Sequence, residues 1–298
     1  MLICPDMPPR NPDLKREQSH HPRDFADFVY VYPVVSRRSG GVSIGVNLNL
    51  DKFCNFDCPY CQVDRTVPKP KQAISVPAIR AELEKLLATF DADGVCRLER
   101  FAAVPDADKR LKDIAVSGDG EPTMVPEFAE VCTMLASLQA TRPELDFQLV
   151  LITNSTLLDR KNVLEGISHL LSRNGEVWAK LDAGTEEWYQ KVNISRVSLD
   201  RIEANLIRLG QEHPYKIQSL FCSLDGVTPP QAERDAYLDR LRRIKAAGGE
   251  IREVQLHTLA RKPAQSTCTP VTGGFLQDLR ERIETGVGLP ARVYGVET

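Results

Sequence analysis

The sequence predicts an α/β fold built on a parallel sheet, and two observations carry that expectation. Strand-like and helix-like segments alternate six times between residues 43 and 283, and a strand leading through a helix into the next strand returns parallel to the first by a right-handed crossover. Three clustered cysteines directly follow the first of these strands, in the loop at its C-terminal end, where folds of this kind carry their active groups. Six such units curl into a partial or complete barrel. A chain of 298 residues with 42% apolar content supplies enough core for it as one domain.

Taken in order, residues 1–40 carry many prolines and charges and little periodicity. They are expected to form an N-terminal arm over the outside of the fold, with residues 41–298 as the core domain and its C-terminal extension. The polar, proline-rich start is unlike a signal sequence, and no apolar run approaches the ~20 residues that span a bilayer. A cytoplasmic protein without membrane contact is the expectation. Ser43 to Leu50 alternates apolar with polar or small residues, which suits a strand. Val76 to Phe90 has helical spacing, with Ser75 as its N-cap and Pro77 in the first turn.

Strands follow near Asp113–Ser117, Phe147–Thr153, Glu176–Asp182, Lys216–Ser223 and Ile251–His257. The helices between and after them fall near Pro126–Leu138, Arg160–Leu171, Ser198–Leu209, Gln231–Ala247 and Gly274–Ile283, and Ala291–Val296 adds a short final strand. Residues 97–112 show no clean period and read as an insertion or linker.

Charge excludes little but promises nothing. With 38 basic and 41 acidic residues the net charge is −3, so no global bias advertises a polyanion, and DNA is not an expected partner. Lys69-Pro70-Lys71 and Arg261-Lys262 are short basic patches, a pattern usually found on solvated surface. Of eight cysteines, Cys4, Cys96, Cys132, Cys222 and Cys268 are far apart and show no second ligand motif. They read as small buried residues.

Cys54, Cys58 and Cys61 are different. The spacing of three and then two intervening residues lets one short loop wrap three thiolates around one metal centre, as iron–sulfur clusters are held. A [4Fe–4S] cube needs four ligands, so three leave one iron open to a substrate or cofactor. The competing reading is a non-catalytic metal-binding protein using zinc or a redox-sensing cluster. A structural zinc site takes a closed set of four ligands, yet neither a second CxxC nor a spaced histidine pair lies downstream.

The run CNFDCPYC resembles the CxxxCxxC motif of the radical S-adenosylmethionine (SAM) superfamily, including the aromatic Tyr60 before the third cysteine. The resemblance implies a partial (β/α)6 barrel of the radical SAM type. It also implies that SAM chelates the open iron, and that an electron from a flavodoxin- or ferredoxin-type donor cleaves SAM to a 5′-deoxyadenosyl radical, which abstracts hydrogen from substrate. After the second strand, Gly118 and Gly120 let the backbone turn and approach a ligand, while Glu121 offers an ammonium acceptor. Gly118-Asp119-Gly120-Glu121-Pro122 resembles the superfamily's GGEP motif, with Asp119 as a departure.

Lys180 and Asp182 share one side of a strand and can form a buried ion pair or face the interior. By resemblance, Asn154, Lys180 and Asp182 contact the SAM carboxylate and ribose. His257, near the end of the sixth strand, is either a capped or surface histidine, the commoner case, or by its position flanks the adenine or the substrate. The segments around Ser36–Gly40, KLDAG and QLHTLAR are similar to the wyosine-synthesis branch, which modifies a tRNA base using pyruvate. A tRNA substrate follows from that similarity alone.

Overall fold

Side-chain alternation across the strands decides the architecture. In the computed structural model, which describes residues 25–36, 38–66, 70, 72–261, 263 and 267–294, Val177 and Ala179 are fully buried in the main core. Their neighbours Trp178 and Lys180 occupy the opposite face, where Trp178 joins a small separate cluster with Ala115, Val150 and Ile152. One face of the sheet therefore packs under helices, and the other lines an interior with polar and aromatic groups. Readings that fell on Cys4, Arg37, Lys69, Lys71, Lys262 and residues 295–298 lie outside the described residues.

The strands are β1 (Val31–Ser36), β2 (Gly41–Val46), β3 (Leu111–Val116), β4 (Gln148–Thr153), β5 (Gly175–Lys180), β6 (Tyr215–Leu220), β7 (Cys222–Leu224), β8 (Ile251–His257), β9 (Cys268–Pro270) and β10 (Ala291–Tyr294). Eight of them form one sheet in the order β1-β2-β3-β4-β5-β6-β8-β10, and β7 pairs with β9 in a separate ribbon. Within the eight-stranded sheet every pairing from β2 to β10 is parallel, whereas β1 runs antiparallel to β2, and the β7–β9 ribbon is antiparallel. The barrel is not closed, since β1 and β10 are the two edges. Ser36 of β1 and Tyr294 of β10 nevertheless line one cavity with Lys180 of β5, so the sheet curls into a trough.

The helices are α1 (Val76–Leu87), α2 (Phe128–Ala140), α3 (Lys161–Leu171), α4 (Glu186–Val192), α5 (Leu199–Glu212), α6 (Gln231–Ala246) and α7 (Gly273–Gly286). Ser75 caps α1 as its sequence suggests, accepting from Ala78 N at 3.3 Å. Helix α4, capped by Thr185, is an element the sequence reading lacked. The first expected strand stops at Val46, and the expected strand over 216–223 breaks at Phe221 into β6 and β7. Two short 3-10 turns, Glu99–Phe101 and Asp106–Lys109, fill the aperiodic stretch before β3. Cys96 and Cys132 are buried core thiols, as expected.

The main difference lies in the presumed arm, because residues 31–36 form a sheet strand. Pro33 argues against a central strand, but β1 is an edge strand, where a missing N–H costs no ladder bond. Glu82 of α1 anchors its start. Its carboxylate accepts the backbone N–H groups of Val29, Tyr30 and Val31 at 2.8, 2.9 and 3.0 Å. Glu82→Ala leaves these donors without that partner and is expected to cost about 2–3 kcal/mol, given the strength of hydrogen bonds to a charged acceptor. A lowered urea midpoint checks this, and an unchanged midpoint refutes the anchor.

Candidate active site

The cysteine loop leaves the end of β2 and is pinned on both sides. Asp57 N donates to Asn193 O at 3.0 Å, Phe56 forms an antiparallel bridge with Ser195, and Asn55 Nδ2 donates to Thr156 Oγ1 at 2.8 Å. Each sulfur meets N–H donors. Cys54 Sγ faces Phe56 N at 3.5 Å and Asn154 Nδ2 at 3.8 Å, and Cys58 Sγ faces Asn193 Nδ2 at 3.5 Å. Cys61 Sγ accepts from Val63 N at 3.5 Å and from the Arg65 guanidinium at 3.0 Å.

Such donors stabilise negative sulfur and set the potential of an iron–sulfur centre. Three free thiols on one pinned loop, each with an N–H partner, fit a [4Fe–4S] cluster's thiolate ligands. Among the described residues no three His, Cys, Asp or Glu side chains are grouped to hold a single metal ion.

Burial pushes the Cys54 thiol up to about 11 and the Cys58 thiol up to about 12, with Glu121 adding to the rise at Cys54. Without a metal centre both stay protonated at neutral pH, and ligation must displace their protons.

Arg65 was not singled out in the sequence, yet it braces the loop. Beyond Cys61 it donates through Nε to Lys52 O at 3.0 Å and through Nη2 to Asp119 O at 2.8 Å. Its position four residues after the third cysteine is the one signal that pointed to it. Asn193 was also missed. It joins Cys58 to Tyr60 Oη at 2.9 Å and to Asp182 Oδ2 at 2.8 Å.

Asp182 is the junction of the site, with a side chain fully removed from solvent. Oδ2 receives Tyr60 Oη at 2.5 Å, Asn193 Nδ2 and the Lys180 ammonium at 3.2 Å, while Oδ1 receives Leu220 N at 2.8 Å. The sequence alternatives for Lys180 and Asp182 thus merge, since they pair and Lys180 also lines the cavity. Burial pushes the Lys180 amine down, but Asp182 and Cys58 outweigh it and the net shift is upward. Lys180 is a held ammonium, lying 5.0 Å from the Tyr60 ring centroid.

The glycine turn after β3 packs closely against the segment that follows β2. A Cβ on Gly118 would lie 2.2 Å from Asn47 Oδ1, and one on Gly120 would lie 1.8 Å from Phe53 O. Both glycines are therefore required by the chain's own cysteine-loop approach, although Gly118 also lines the cavity. Asp119 is bridged to Asn47 Nδ2 at 3.0 Å.

Glu121 is buried, and its carboxylate is engaged by Thr123 Oγ1 at 2.6 Å, Thr123 N at 3.2 Å, Thr153 Oγ1 at 2.7 Å and Asn154 N at 2.7 Å. It locks the end of β4 to the turn. Asn154 is similarly engaged, with Nδ2 donating to Asn55 Oδ1 at 2.6 Å and Oδ1 accepting from Thr156 Oγ1 at 2.7 Å.

A cavity of about 380 Å³ opens beside these groups, lined by Tyr60, Cys61, Gly118, Lys180, Gln218 and His257 among others. His257 stacks on Tyr294 with ring centroids 4.9 Å apart. Gln218, missed in the sequence, is buried with Nε2 lacking a hydrogen-bond partner. The expected residues thus divide. Tyr60, Gly118, Lys180 and His257 reach the cavity, whereas Asp119, Gly120, Glu121, Asn154 and Asp182 form the frame behind it.

Two outcomes follow. Removing the Asp182 carboxylate (Asp182→Ala) takes away the buried acceptor shared by Tyr60, Asn193, Lys180 and Leu220 N and is expected to cost about 3–5 kcal/mol, read by chemical denaturation. The Cys54 and Cys58 thiols have folded values above their ordinary 9.0, so the unfolded chain releases their protons first. Stability of the cluster-free protein should fall as pH rises from about 9 towards 12. A Cys54→Ser/Cys58→Ser double variant should flatten that fall, and an identical slope would refute the assignment.

The sequence profile of the Radical SAM superfamily matches residues 48–213, more than half of the chain. The UPF0026 protein MJ1312 of Methanocaldococcus jannaschii is 27% identical over 164 residues, covering 54% of this chain and 42% of that protein. Neomycin C epimerase of Streptomyces fradiae is 26% identical over 196 residues, covering 65% of this chain and 50% of the enzyme. The chain thus spans half or less of the length of these two curated relatives.

Among solved structures, Streptococcus suis SuiB bound to S-adenosylmethionine aligns with a TM-score of 0.57 at 12% identity, over 86% of this chain and 51% of that one. TYW1 with a lysine-pyruvate adduct bound aligns with a TM-score of 0.51 at 13% identity, over 83% and 73%. These likenesses share the fold, a mostly parallel open sheet with helices on its outer face. By the profile that matches across its cysteine loop, strand ends and central helices, this chain belongs to the radical SAM superfamily.

Proposed function

We propose that this protein cleaves SAM reductively and uses the resulting radical to abstract hydrogen from a substrate seated in the 380 Å³ cavity. Radical SAM superfamily members are enzymes that use a [4Fe–4S] cluster and SAM and need an electron donor. The observation that carries the finer reading is the loop of three N–H-supported thiols, whose Tyr60 and Cys61 line that cavity beside a fixed ammonium. In this reading Cys54, Cys58 and Cys61 ligate the cluster. When bound, the cluster and SAM supply an electron-driven C–S cleavage and a hydrogen-abstracting radical.

The chain's own residues position and insulate. Lys180 offers its ammonium to the SAM carboxylate, and its pairing with Asp182 prevents it from swinging away. Tyr60 holds the cysteine loop to that pair through its phenol. Gly118 leaves room for close approach, and the His257–Tyr294 stack gives a flat wall for a ring. The roles of Asp119, Gly120, Glu121, Asn154 and Asp182 are to hold these groups in place.

For the substrate, similarity to the wyosine-synthesis branch in the sequence segments and the fold likeness to TYW1 support a tRNA base. A flavodoxin- or ferredoxin-type donor and a cytoplasmic setting belong to the same proposal. Among the described residues no helix is long and apolar enough to cross a membrane.

The test is anaerobic incubation of cluster-loaded protein with SAM and dithionite, followed by chromatography. 5′-Deoxyadenosine and methionine should form, and the Cys54→Ala, Cys58→Ala and Cys61→Ala variants should lose iron and give none. Lys180→Ala should weaken SAM binding about tenfold or more, the worth of a charge-assisted hydrogen bond. Repeating the reaction with bulk tRNA plus pyruvate, then with a small-molecule extract, identifies the substrate class. Absence of 5′-deoxyadenosine under all three conditions overturns the reading.

A further inference from the structure

Of the described cysteines outside the machinery above, the fold brings Cys222 and Cys268 together. Cys222 opens β7 and Cys268 opens β9, 46 residues apart in sequence, yet their sulfurs lie 3.7 Å from each other. Both are free thiols, 1% and 5% exposed. A disulfide needs about 2.05 Å between sulfurs, and the ribbon sets Cys222 opposite Pro270 and Cys268 opposite Leu224, a diagonal pair, so closing the gap takes a shift of the ribbon as well as rotation of both side chains.

The pair sits at a mechanically sensitive place. Phe221, just before Cys222, donates its N–H to His257 O at 2.8 Å, and its own carbonyl accepts from Thr258 Oγ1 at 2.9 Å. Val271 N, beyond Cys268, donates to the same Thr258 hydroxyl at 2.9 Å. Leu220, His257, Thr258, Leu259, Ala260 and Arg261 all line the cavity. The ribbon therefore connects directly to one cavity wall.

We propose that Cys222 and Cys268 form a reversible disulfide that clamps the β7–β9 ribbon and fixes this cavity wall. The oxidant is a small-molecule disulfide. The thiolate of one cysteine attacks it and expels one thiolate, giving a mixed disulfide. The other cysteine then attacks the protein sulfur and expels the second thiolate. Two protein thiols are oxidised, one small disulfide is reduced to two thiols, and the two cysteine protons leave with them. A dithiol reductant reverses both steps. The bond closes a loop containing α6 and β8 and restricts the unfolded chain. Because burial raises both thiols, the reaction is slow at neutral pH and accelerates in alkali.

The experiment uses the cluster-loaded full chain, incubated without oxygen with oxidised glutathione, alkylated and digested for peptide mapping. The expected result is a peptide pair joined through Cys222 and Cys268, with two fewer free thiols per chain. Dithiothreitol should restore both thiols, and the thermal midpoint should be several degrees higher in the oxidised form. Cys222→Ser and Cys268→Ala should each abolish the joined pair. The mapping is made on the natural chain, so it stands even where a variant fails to fold. Recovery of both cysteines fully alkylated after prolonged incubation overturns the proposal. So does a disulfide involving Cys54, Cys58 or Cys61 instead, or a joined pair with no rise in thermal midpoint. None of these readouts depends on SAM cleavage, so failure here and failure of the proposed reaction are distinguishable.

Discussion

The buried carboxylate of Asp182 is the constraint on which the rest of the site depends. It has no access to water, so its charge must be met by neighbours, and four separate segments supply them. Tyr60 comes from the cysteine loop, Asn193 from the end of α4, Lys180 from β5 and Leu220 N from β6. A buried carboxylate in this setting is costly unless fully paired, which makes the arrangement specific: displacing any one donor leaves the carboxylate short of a partner. The loop bearing Cys58 and Cys61 is thereby registered against two adjacent strands of the trough.

A second carboxylate does the same on the other side. Glu121 gathers Thr123, Thr153 and the Asn154 N–H, so the glycine turn after β3 and the end of β4 move as one unit against Cys54. Ser155 next to it is held at φ +70°, a left-handed conformation unfavourable for a side chain with a Cβ. Its hydroxyl donates to Lys180 O at 2.9 Å and its carbonyl accepts from Asn205 Nδ2 at 2.8 Å, contacts that compensate the strain. Between these two anchors, the cysteine loop has little freedom. A rigid frame of this kind suits a site whose ligands must hold a cofactor while leaving one face open.

Much of the scaffold was legible because it is written locally. Six strand–helix alternations, the cap Ser75 and the final strand near residue 291 follow from short local patterns and a capping residue. The pieces that escaped notice break those patterns. Pro33 disguises β1, whose start is held by Glu82, about fifty residues downstream. Helix α4 spans seven residues, too few for a periodicity to emerge. Arg65, Asn193 and Gln218 belong to no motif, because a single asparagine or arginine acquires meaning only from what folding places beside it.

By itself the sequence determined the α/β class, the succession of strand–helix units in a parallel sheet and the three-cysteine spacing that carries the family resemblance. Each of these depends on residues within a few positions of one another. Only the tertiary structure decided which strand-end groups face the cavity and which are locked behind it. Tyr60 meets Asp182 across 122 residues, Asn154 meets Cys54 across 100, and Cys222 meets Cys268 across 46. Burial and pairing set a polar group's charge, reach and role, and both are properties of neighbours that the chain brings together only when the sheet curls.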